Sequence, residues 1–209
     1  MRRIDVSMPL FAGMPSFPGD PPFDSHRLKS IGSGDPYNIS GLAFGSHAGT
    51  HLDPPVHFIE GGDAVDRVDL DLLNGPCRVV DVDPRSAAVD ARDVANVPPG
   101  STRVLFRTAN SARWASSLSF FPDYVGLNRG AADALVARKV RLVGLDSLSI
   151  ENDRTGTFPV HHSLLGRGTL ILEGLLLAAA PAGEYLLECL PLRIRDGDGG
   201  PARVVLVAP

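Results

Sequence analysis

Residues 46–58 hold three of the six histidines in the sequence, His47, His51 and His57, together with the carboxylate of Asp53. Neutral imidazoles and carboxylates are the ligands that divalent ions such as zinc and manganese prefer. A single histidine in a loop is usually only solvated or hydrogen-bonded. Because four candidate ligands fall within one short segment, a metal site is the favoured interpretation of this cluster.

The same segment cannot form one regular helix. Two consecutive prolines, Pro54 and Pro55, follow the aspartate, and the residue before a proline is pushed towards an extended conformation. We therefore expect a turn around Gly49 that leads into an extended run. Alternate side chains of such a run share a face, so His51 and Asp53 point the same way, and the turn can fold the first histidine back onto that face.

Length and composition are those of an ordinary globular chain. The 209 residues are enough for a substantial core, and 44% of them are hydrophobic and 21% charged. The net charge of −4 offers no electrostatic case for binding nucleic acid. No apolar run approaches the roughly 20 residues of a membrane-spanning helix. Because neither repeats nor a flexible linker divide the sequence, residues 1–209 are predicted to form a single domain.

The cysteines and the first residues bear on the compartment. Cys77 and Cys189 lie far apart and do not make a disulfide framework, although a single bridge between them stays open. The sequence begins with basic residues but meets Asp5 at once, and it lacks the apolar core of a signal peptide. A reduced, cytoplasmic location is therefore expected.

The hydrophobic pattern predicts an α/β fold of the mixed α+β kind, with a mixed β-sheet core and few short helices. Strands are expected at residues 4–7, 38–45, 77–82, 102–108, 140–146, 184–190, 192–195 and 202–207, and residues 169–173 form a short apolar run that ends in a carboxylate. Helices are expected at residues 65–73, 91–94 and 130–139, with a short helix or turn at 161–166. Residues 110–123 are expected to be irregular.

A stretch rich in proline and glycine, residues 9–22, excludes helix and predicts a long ordered loop. Its aromatic side chains, Phe17 among them, either pin the loop to the core or form the wall of a binding pocket. The residues themselves support both interpretations equally.

A second cluster of candidate ligands lies far downstream. Glu173 ends the apolar run 169–173, where a buried carboxylate is costly unless it is paired or bound to a metal. The alternative is a strand or helix end that reaches water. The nearby pair His161 and His162 favours a ligand role, because several nitrogen and oxygen ligands with one bridging carboxylate are typical of two-metal hydrolases.

These residues predict chemistry that uses water. A bound divalent ion would lower the pKa of water and polarise a carbonyl group. His57 lies beyond the double proline and suits a proton shuttle, with a fourth ligand or an orienting group as the alternative. The sequence contains neither a Gly-x-Ser-x-Gly nucleophile motif nor a Gly-rich phosphate loop, so water is the expected nucleophile.

Residues 47–57 match the signature His-x-Gly-Thr-His-x-Asp-x-Pro-x-His, and the chain thereby resembles the cyclase family of metal-dependent hydrolases. Bacterial kynurenine formamidases and isatin hydrolases are members of that family. Softer similarities extend over nearly the whole chain. Residues 17–20 resemble the family's N-terminal loop, residues 144–149 its Gly-x-Asp-x-x-Ser strand end, and residues 161–165 with 171–173 its second metal segment.

The resemblance implies a swivelling β/β/α-type fold, usually dimeric or higher. It implies two ligand sets that share one bridging carboxylate: His47, His51 and Asp53 for one ion, and Asp53, His161 and Glu173 for the other. His57 would be the acid/base catalyst. His161 is preferred to His162 because the family's histidine stands three residues before a double leucine. Zinc is the implied ion and manganese the alternative, with one or two ions per subunit.

The leading implied function is that of an arylformamidase, an amidohydrolase that converts N-formyl-L-kynurenine to L-kynurenine and formate. The alternatives are an isatin-hydrolase-like or other cyclic amide or lactone hydrolase, and, in another class, a metal-binding protein without catalysis. Phe17 stands where kynurenine formamidases tend to carry a tryptophan, so an aromatic substrate wall is retained while the substrate is less well defined. Expected partners are a small-molecule amide and further copies of the chain in a homodimer or higher homo-oligomer, not nucleic acid or a membrane.

Overall fold

The computed structural model describes residues 2–208, and Met1 and Pro209 lie outside the described residues. Within residues 2–208 the chain forms twelve strands and five α-helices. The strands are β1 (Arg2–Asp5), β2 (Asp24–Lys29), β3 (Ile39–Ala43), β4 (His51–Asp53), β5 (Gly75–Asp81), β6 (Ala88–Val89), β7 (Arg103–Arg107), β8 (Gly126–Leu127), β9 (Leu142–Leu145), β10 (Leu170–Glu173), β11 (Gly183–Pro191) and β12 (Gly200–Ala208). The helices are α1 (Leu70–Leu73), α2 (Ala91–Ala95), α3 (Asn110–Ser116), α4 (Arg129–Ala137) and α5 (Pro159–Leu165).

The main sheet closes on itself. In the described chain, seven strands follow the order β12, β11, β5, β7, β9, β10 and β4, and β4 pairs back with the start of β12. β1 pairs with the far end of β12. The strands β5, β7, β9 and β10 run parallel, whereas the pairings of β4, β11 and β12 are antiparallel. A closed sheet has few free edges and an interior that side chains must fill.

Alternate residues of the central strands enter two different apolar layers. In β7, Val104 and Phe106 pack in the layer that includes residues of α2, α4 and α5. Leu105, between them, packs with residues of β4, β11 and β12 on the other side of the sheet. A strand that is buried on both faces needs a near-continuous apolar sequence, and the run Val-Leu-Phe provides it.

Helix α4 confirms the helix predicted at residues 130–139. Asn128 caps it, because the side-chain oxygen accepts the backbone N–H of Ala131 at 2.9 Å. Ala131, Ala132 and Leu135 bury one face at helical spacing, and the helix lies against α2 and α5. None of the helices within residues 2–208 is long and apolar enough to cross a membrane.

The predicted fold class, a mixed α+β fold with a mixed sheet and few short helices, is confirmed. The strand expected at residues 192–195 is wrong, because β11 already ends at Pro191. The backbone N–H of Ile194 donates to the carbonyl of Leu192, and that of Gly197 donates to the carbonyl of Ile194. These groups are used in local turns and are therefore not available to a neighbouring strand.

Residues 65–73 do not form the single helix that their apolar spacing predicts. A 3₁₀ turn at Val65–Arg67 is followed by Val68 in an extended conformation. Helix α1 then starts anew after Asp69, whose side chain accepts the backbone N–H of Asp71 at 3.0 Å. The cap at Asp69 therefore separates two short helical pieces that share one apolar face.

Residues 110–123, expected to be irregular, contain α3. Asp146, just beyond β9, accepts the backbone N–H of Thr108 at 2.8 Å and that of Ser111 at 3.0 Å. It also accepts the hydroxyl of Ser111 at 2.6 Å. The group that stabilises the start of α3 thus comes from another part of the chain, so the local sequence does not reveal the helix.

Strands β2 and β3 form a separate hairpin, of which the sequence predicts only the second strand. β2 had no counterpart among the expected strands, whereas β3 confirms the strand expected at 38–45. All residues of both strands are exposed except Gly41, which is half-buried. The hairpin connects the Pro/Gly-rich loop to the histidine segment.

Cys77 and Cys189 are both buried and free, so the single disulfide that the sequence left open is not formed. Cys77 lies opposite Tyr185 in the pair β5–β11, and Cys189 lies opposite Val204 in the pair β11–β12. Burial raises the pKa of each thiol to about 12. The two cysteines therefore act as small apolar residues of the core.

Candidate metal centre

The turn before β4 directs the first histidine of the cluster. Gly49 has a φ of +66°, a left-handed conformation that glycine adopts without strain. The hydroxyl of Thr50 donates to the carbonyl of Gly174 at 2.5 Å and accepts the backbone N–H of Met8 at 2.7 Å. These bonds hold the turn against the end of β10, and His47 folds back onto the face that carries Asp53, as its sequence predicts.

The pairing of β4 with β10 joins two segments that are distant in the sequence. The strands are antiparallel, with Glu173 opposite His51 and Ile171 opposite Asp53. His51, Asp53 and Glu173 are 1%, 0% and 3% exposed. The register of this one pair thus places carboxylates and an imidazole together in a buried environment.

Asp53 lies at the centre of the cluster. Its Oδ1 is 2.9 Å from Nδ1 of His47 and 3.4 Å from Nε2 of His51. Its Oδ2 is 3.9 Å from Nε2 of His161. One carboxylate therefore faces imidazoles from both parts of the chain, an arrangement that suits a bridging ligand.

Glu173 contacts two of the same imidazoles. Its Oε2 is 3.2 Å from Nε2 of His51, and its Oε1 is 3.4 Å from Nε2 of His161. His161 is buried, whereas the adjacent His162 is exposed, so the structure brings only the first of the pair to the carboxylates. Burial opposes the charged form of His161, but hydrogen bonds to Glu151 and Glu173 raise its pKa to about 10.

The cluster contains buried polar atoms that protein groups do not satisfy. Within residues 2–208, Oδ2 of Asp53 and Nε2 of His47 are buried and have no hydrogen-bond partner. Each unsatisfied atom of this kind costs about 1–3 kcal/mol. Ligand atoms lie within 4.8 Å of one another in two sets of three: His47, Asp53 and His57, and His51, Asp53 and Glu173. The residues present therefore fit a divalent metal ion.

The carboxylates keep their negative charge in this buried setting. Burial raises the pKa of Asp53, but the neighbouring His51 and His47 hold it well below its usual range. Burial also opposes charge on His51, yet Asp53 and Glu173 raise the pKa of that imidazole to about 9. Two charged carboxylates surrounded by imidazoles make a site that attracts cations.

His57 differs electrostatically from the other imidazoles of the cluster. Burial lowers its pKa, whereas the nearby carboxylates raise the pKa values of His47 and His51 despite their burial. Its ring stacks on that of His47 with the centroids 4.0 Å apart. A neutral imidazole can accept a proton, which suits an acid/base group. One nitrogen of His57 also lies within reach of a ligand set, so the alternative role as a ligand has geometric support too.

The cluster faces a cavity of about 170 Å³. Three aromatic side chains, Phe17, Phe58 and Phe158, form part of its wall. Phe17 lies in this wall, which agrees with the interpretation of the Pro/Gly-rich loop as the wall of a binding pocket. Trp114 is not among the lining residues, and its ring packs against Phe121 with the centroids 4.5 Å apart.

Several lining residues were not assigned a site role from the sequence. They are Asp20, Phe58, Leu148, Ser149 and Phe158. Three of them had a usable signal, because Asp20 belongs to the same loop as Phe17, Phe58 directly follows His57, and Ser149 is the serine of the Gly-x-Asp-x-x-Ser strand end. The others reach the cavity only through the packing of α5 and of the loop after β9, which the local sequence does not reveal.

A larger cavity of about 510 Å³ lies elsewhere, and Pro76, Pro98, Arg103 and Tyr185 are among its lining residues. None of the histidines within residues 2–208 lines it. Convergent titratable groups identify a catalytic site better than size does. The histidine–carboxylate cluster is therefore the candidate functional site.

The closed mixed sheet and the buried histidine–carboxylate cluster together define a metalloprotein of mixed α+β architecture. Solved structures have the same fold. A protein described as a potential metal-dependent hydrolase with cyclase activity has a TM-score of 0.83 at 32% identity, covering 98% of this chain and 96% of that one. Isatin hydrolase A from Labrenzia aggregata has a TM-score of 0.83 at 23% identity, covering 100% and 94% of the two chains, and this likeness concerns the fold alone.

The chain belongs to the family described as "Putative cyclase", which matches residues 4–152. A protein named kynurenine formamidase, from Paracidovorax citrulli, is 36% identical over 214 residues, which cover 98% of this chain and 96% of that protein. The family resemblance inferred from the histidine signature is thus confirmed, and the similarity extends over nearly the whole chain.

Proposed function

We propose that this chain is a metal-dependent amidohydrolase that cleaves a carbon–nitrogen amide bond with water. The proposed reaction is that of an arylformamidase, in which N-formyl-L-kynurenine gives L-kynurenine and formate. The convergence of candidate ligands from two distant segments, beside a histidine of lowered pKa, is the observation that carries the proposal. The name kynurenine formamidase, borne by a relative of 36% identity over nearly its full length, supports the choice of reaction.

The proposed metal ligands form two sets that share Asp53: His47, His51 and Asp53, and Asp53, His161 and Glu173. Imidazole and carboxylate donors suit zinc, with manganese as the alternative, and the two sets provide for one or two ions per subunit. These residues would hold a divalent ion, which would supply a Lewis acid for the amide carbonyl and lower the pKa of water.

His57 is the proposed acid/base catalyst. Burial lowers the pKa of its imidazole, so the ring is neutral at the start of the reaction and can take a proton from the attacking water. As the carbon–oxygen bond forms and the carbon–nitrogen bond breaks, the same ring delivers the proton to the leaving nitrogen. The stack on His47 holds the ring beside the cavity during both transfers.

The walls of the cavity support an aromatic substrate that carries a cation. Phe17, Phe58 and Phe158 offer ring faces and edges to an aryl group next to the amide bond. Asp20, also in the wall, offers a carboxylate to the ammonium group of an amino-acid side arm. N-formylkynurenine has both features. A cyclic aryl amide such as isatin has the ring without the ammonium group, so Asp20 favours the formamidase reaction.

We further propose a homodimer as the functional unit, a single domain over residues 1–209 and a cytoplasmic location. Exposed strands of the β2–β3 hairpin support contact with a second copy, because an isolated two-stranded hairpin is only marginally stable in water. The two free thiols accord with a reducing compartment.

Turnover of N-formylkynurenine by protein of measured metal content tests this function. We expect kynurenine to form, and a chelator to abolish its formation until metal is restored. Isatin and a panel of amides and lactones serve as competing substrates. Stoichiometric metal without hydrolysis of any of them would contradict the enzyme proposal and favour the metal-binding protein without catalysis.

A further inference from the structure

Glu151 is a buried carboxylate outside the two proposed ligand sets. It lies on the loop that follows β9 and is 3% exposed. A carboxylate removed from water is costly unless hydrogen bonds compensate it. The partners of Glu151 therefore indicate why a charged side chain occupies this position.

All side-chain hydrogen bonds of Glu151 go to the first turn of α5. Its Oε2 accepts the backbone N–H of Val160 at 3.0 Å. Its Oε1 accepts the backbone N–H of His161 at 2.9 Å and lies 2.6 Å from Nδ1 of the same residue. One carboxylate thus fixes both the backbone and the ring of His161.

The contact at Nδ1 determines which nitrogen of His161 is free. A carboxylate that already accepts two backbone N–H groups acts as an acceptor, so Nδ1 donates its hydrogen to Glu151, and Nε2 is the nitrogen left to face a metal ion, which would displace its proton on binding. Nε2 is the atom that lies 3.4 Å from Oε1 of Glu173 and 3.9 Å from Oδ2 of Asp53. Glu151 therefore turns the metal-binding nitrogen towards the two carboxylates.

The loop after β9 also contacts Glu173, the other proposed ligand from the downstream part of the chain. The backbone N–H of Ile150 donates to Oε1 of Glu173 at 2.5 Å, and the N–H of Gly174 donates to the carbonyl of Ser147 at 2.6 Å. Residues 147–151 thus connect the end of β10 to the start of α5. The loop fixes the distance between Glu173 and His161, which the sequence separates.

We propose that Glu151 is a positioning residue that orients His161 and thereby sets the metal affinity of the half-site formed by Asp53, His161 and Glu173. A carboxylate behind a ligating histidine fixes its tautomer and ring orientation and raises its basicity, and loss of such a partner typically costs about 10–100-fold in metal affinity. The inference rests on the proposed role of His161 as a ligand, and it does not depend on which amide is hydrolysed.

Cobalt(II) binding to the full chain tests the proposal without reference to activity. The affinity is measured by competition with a chelator, and the absorption spectrum of the bound ion reports its coordination. Glu151→Ala is expected to weaken binding of one cobalt ion by about 10–100-fold and to change its spectrum. Glu151→Gln is expected to lose less cobalt affinity than Glu151→Ala, because an amide oxygen can still accept the hydrogen of Nδ1. Some loss remains, because the NH₂ group is a donor and faces the N–H donor of Val160.

Two controls separate orientation of the ring from support of the helix. Ser163→Ala removes the hydrogen bond of 2.8 Å between α5 and Asp133 but leaves Glu151 in place, so cobalt affinity should stay at the wild-type value. Thermal unfolding of each metal-free variant measures any loss of fold. A purely structural role of Glu151 would lower the Tm of the metal-free Gln variant and leave its cobalt affinity and spectrum unchanged.

The outcomes distinguish this inference from the proposed function. Wild-type affinity and spectrum in both Glu151 variants would overturn the positioning role while leaving the hydrolase proposal intact. Weakened cobalt binding in a chain that hydrolyses no amide would support the positioning role and contradict the hydrolase. A wild-type chain that binds no cobalt would overturn the metal site and this inference together.

Discussion

Glu173 lies directly opposite His51 in the antiparallel pair of β4 and β10, and its Oε2 is 3.2 Å from Nε2 of His51. Neither side chain is exposed to an appreciable extent. The pairing makes the metal centre depend on the closed sheet, because a shift of one residue in the register would move Glu173 to the other face. Stability of the sheet and integrity of the proposed site are therefore linked.

Asp53→Ala should abolish metal binding at both ligand sets. Its two carboxylate oxygens face His47 and His51 on one side and His161 on the other, so no single remaining group can replace it. Metal content of the purified variant measures the effect. Asp71→Ala, which changes an exposed aspartate, is the matched control and should retain the wild-type metal content. Retention of both ions by Asp53→Ala would contradict the bridging role.

The neighbours His161 and His162 provide a test of ligand assignment within one helical turn. His161→Ala removes a buried imidazole that lies 3.4 Å from Glu173, whereas His162→Ala removes an exposed one. We expect the first variant to lose metal affinity by more than the roughly 10–100-fold typical of an outer hydrogen-bond partner, and the second to bind as the wild type does. Titration with zinc against a chelator measures both, and the reverse pattern would assign the ligand to His162.

Phe17→Ala should weaken substrate binding without affecting the metal. The side chain forms part of the cavity wall, and an aromatic contact contributes about 0.5–1.5 kcal/mol, which corresponds to a KM raised by about two- to tenfold. Phe17→Trp keeps an aromatic face and should keep a KM near the wild-type value. Steady-state kinetics with N-formylkynurenine measure both variants. An unchanged KM in the alanine variant would remove Phe17 from the substrate wall.

The two thiols should be unreactive in the folded protein. Burial raises the pKa of Cys77 and of Cys189 to about 12, so at pH 8 each thiol is almost wholly protonated, and only near pH 12 would half of it ionise. A chromogenic disulfide reagent at pH 8 should therefore label neither residue in the native state and both after unfolding without reductant. Rapid native labelling would contradict the burial, and labelling of neither unfolded thiol would indicate a disulfide bond.

The sequence predicted the ligands that lie in one segment better than the contacts that depend on the fold. His47, His51 and Asp53 stand close together in the chain, and an extended run fixes which of them share a face. Glu173 could be proposed because a carboxylate interrupts an apolar run. Its register opposite His51 could not be proposed, because strand pairing depends on the closure of the whole sheet.

Residues that act through tertiary contacts were missed for the same reason. Glu151 has no local pattern that distinguishes it from a surface carboxylate, and its role follows only from the approach of α5. Helix α3 was missed because Asp146, which caps its start, comes from the end of another strand. Residues 192–195 were wrongly assigned to a strand, because Leu192 and Ile194 alternate with arginines in a pattern that also fits a turn burying little apolar surface. The backbone hydrogen bonds of Ile194 show that the chain forms the turn.

The metal content and turnover of His57→Ala, determined on the same preparation, distinguish a proton-transfer role of His57 from a ligand role. We expect wild-type metal content with kcat for N-formylkynurenine lowered by about 10²–10⁴-fold, because the proton acceptor is lost while the proposed ligands remain. Partial recovery of turnover on addition of imidazole would agree with that result. Loss of metal together with activity would instead make His57 a ligand, and unchanged turnover would contradict its role in the reaction.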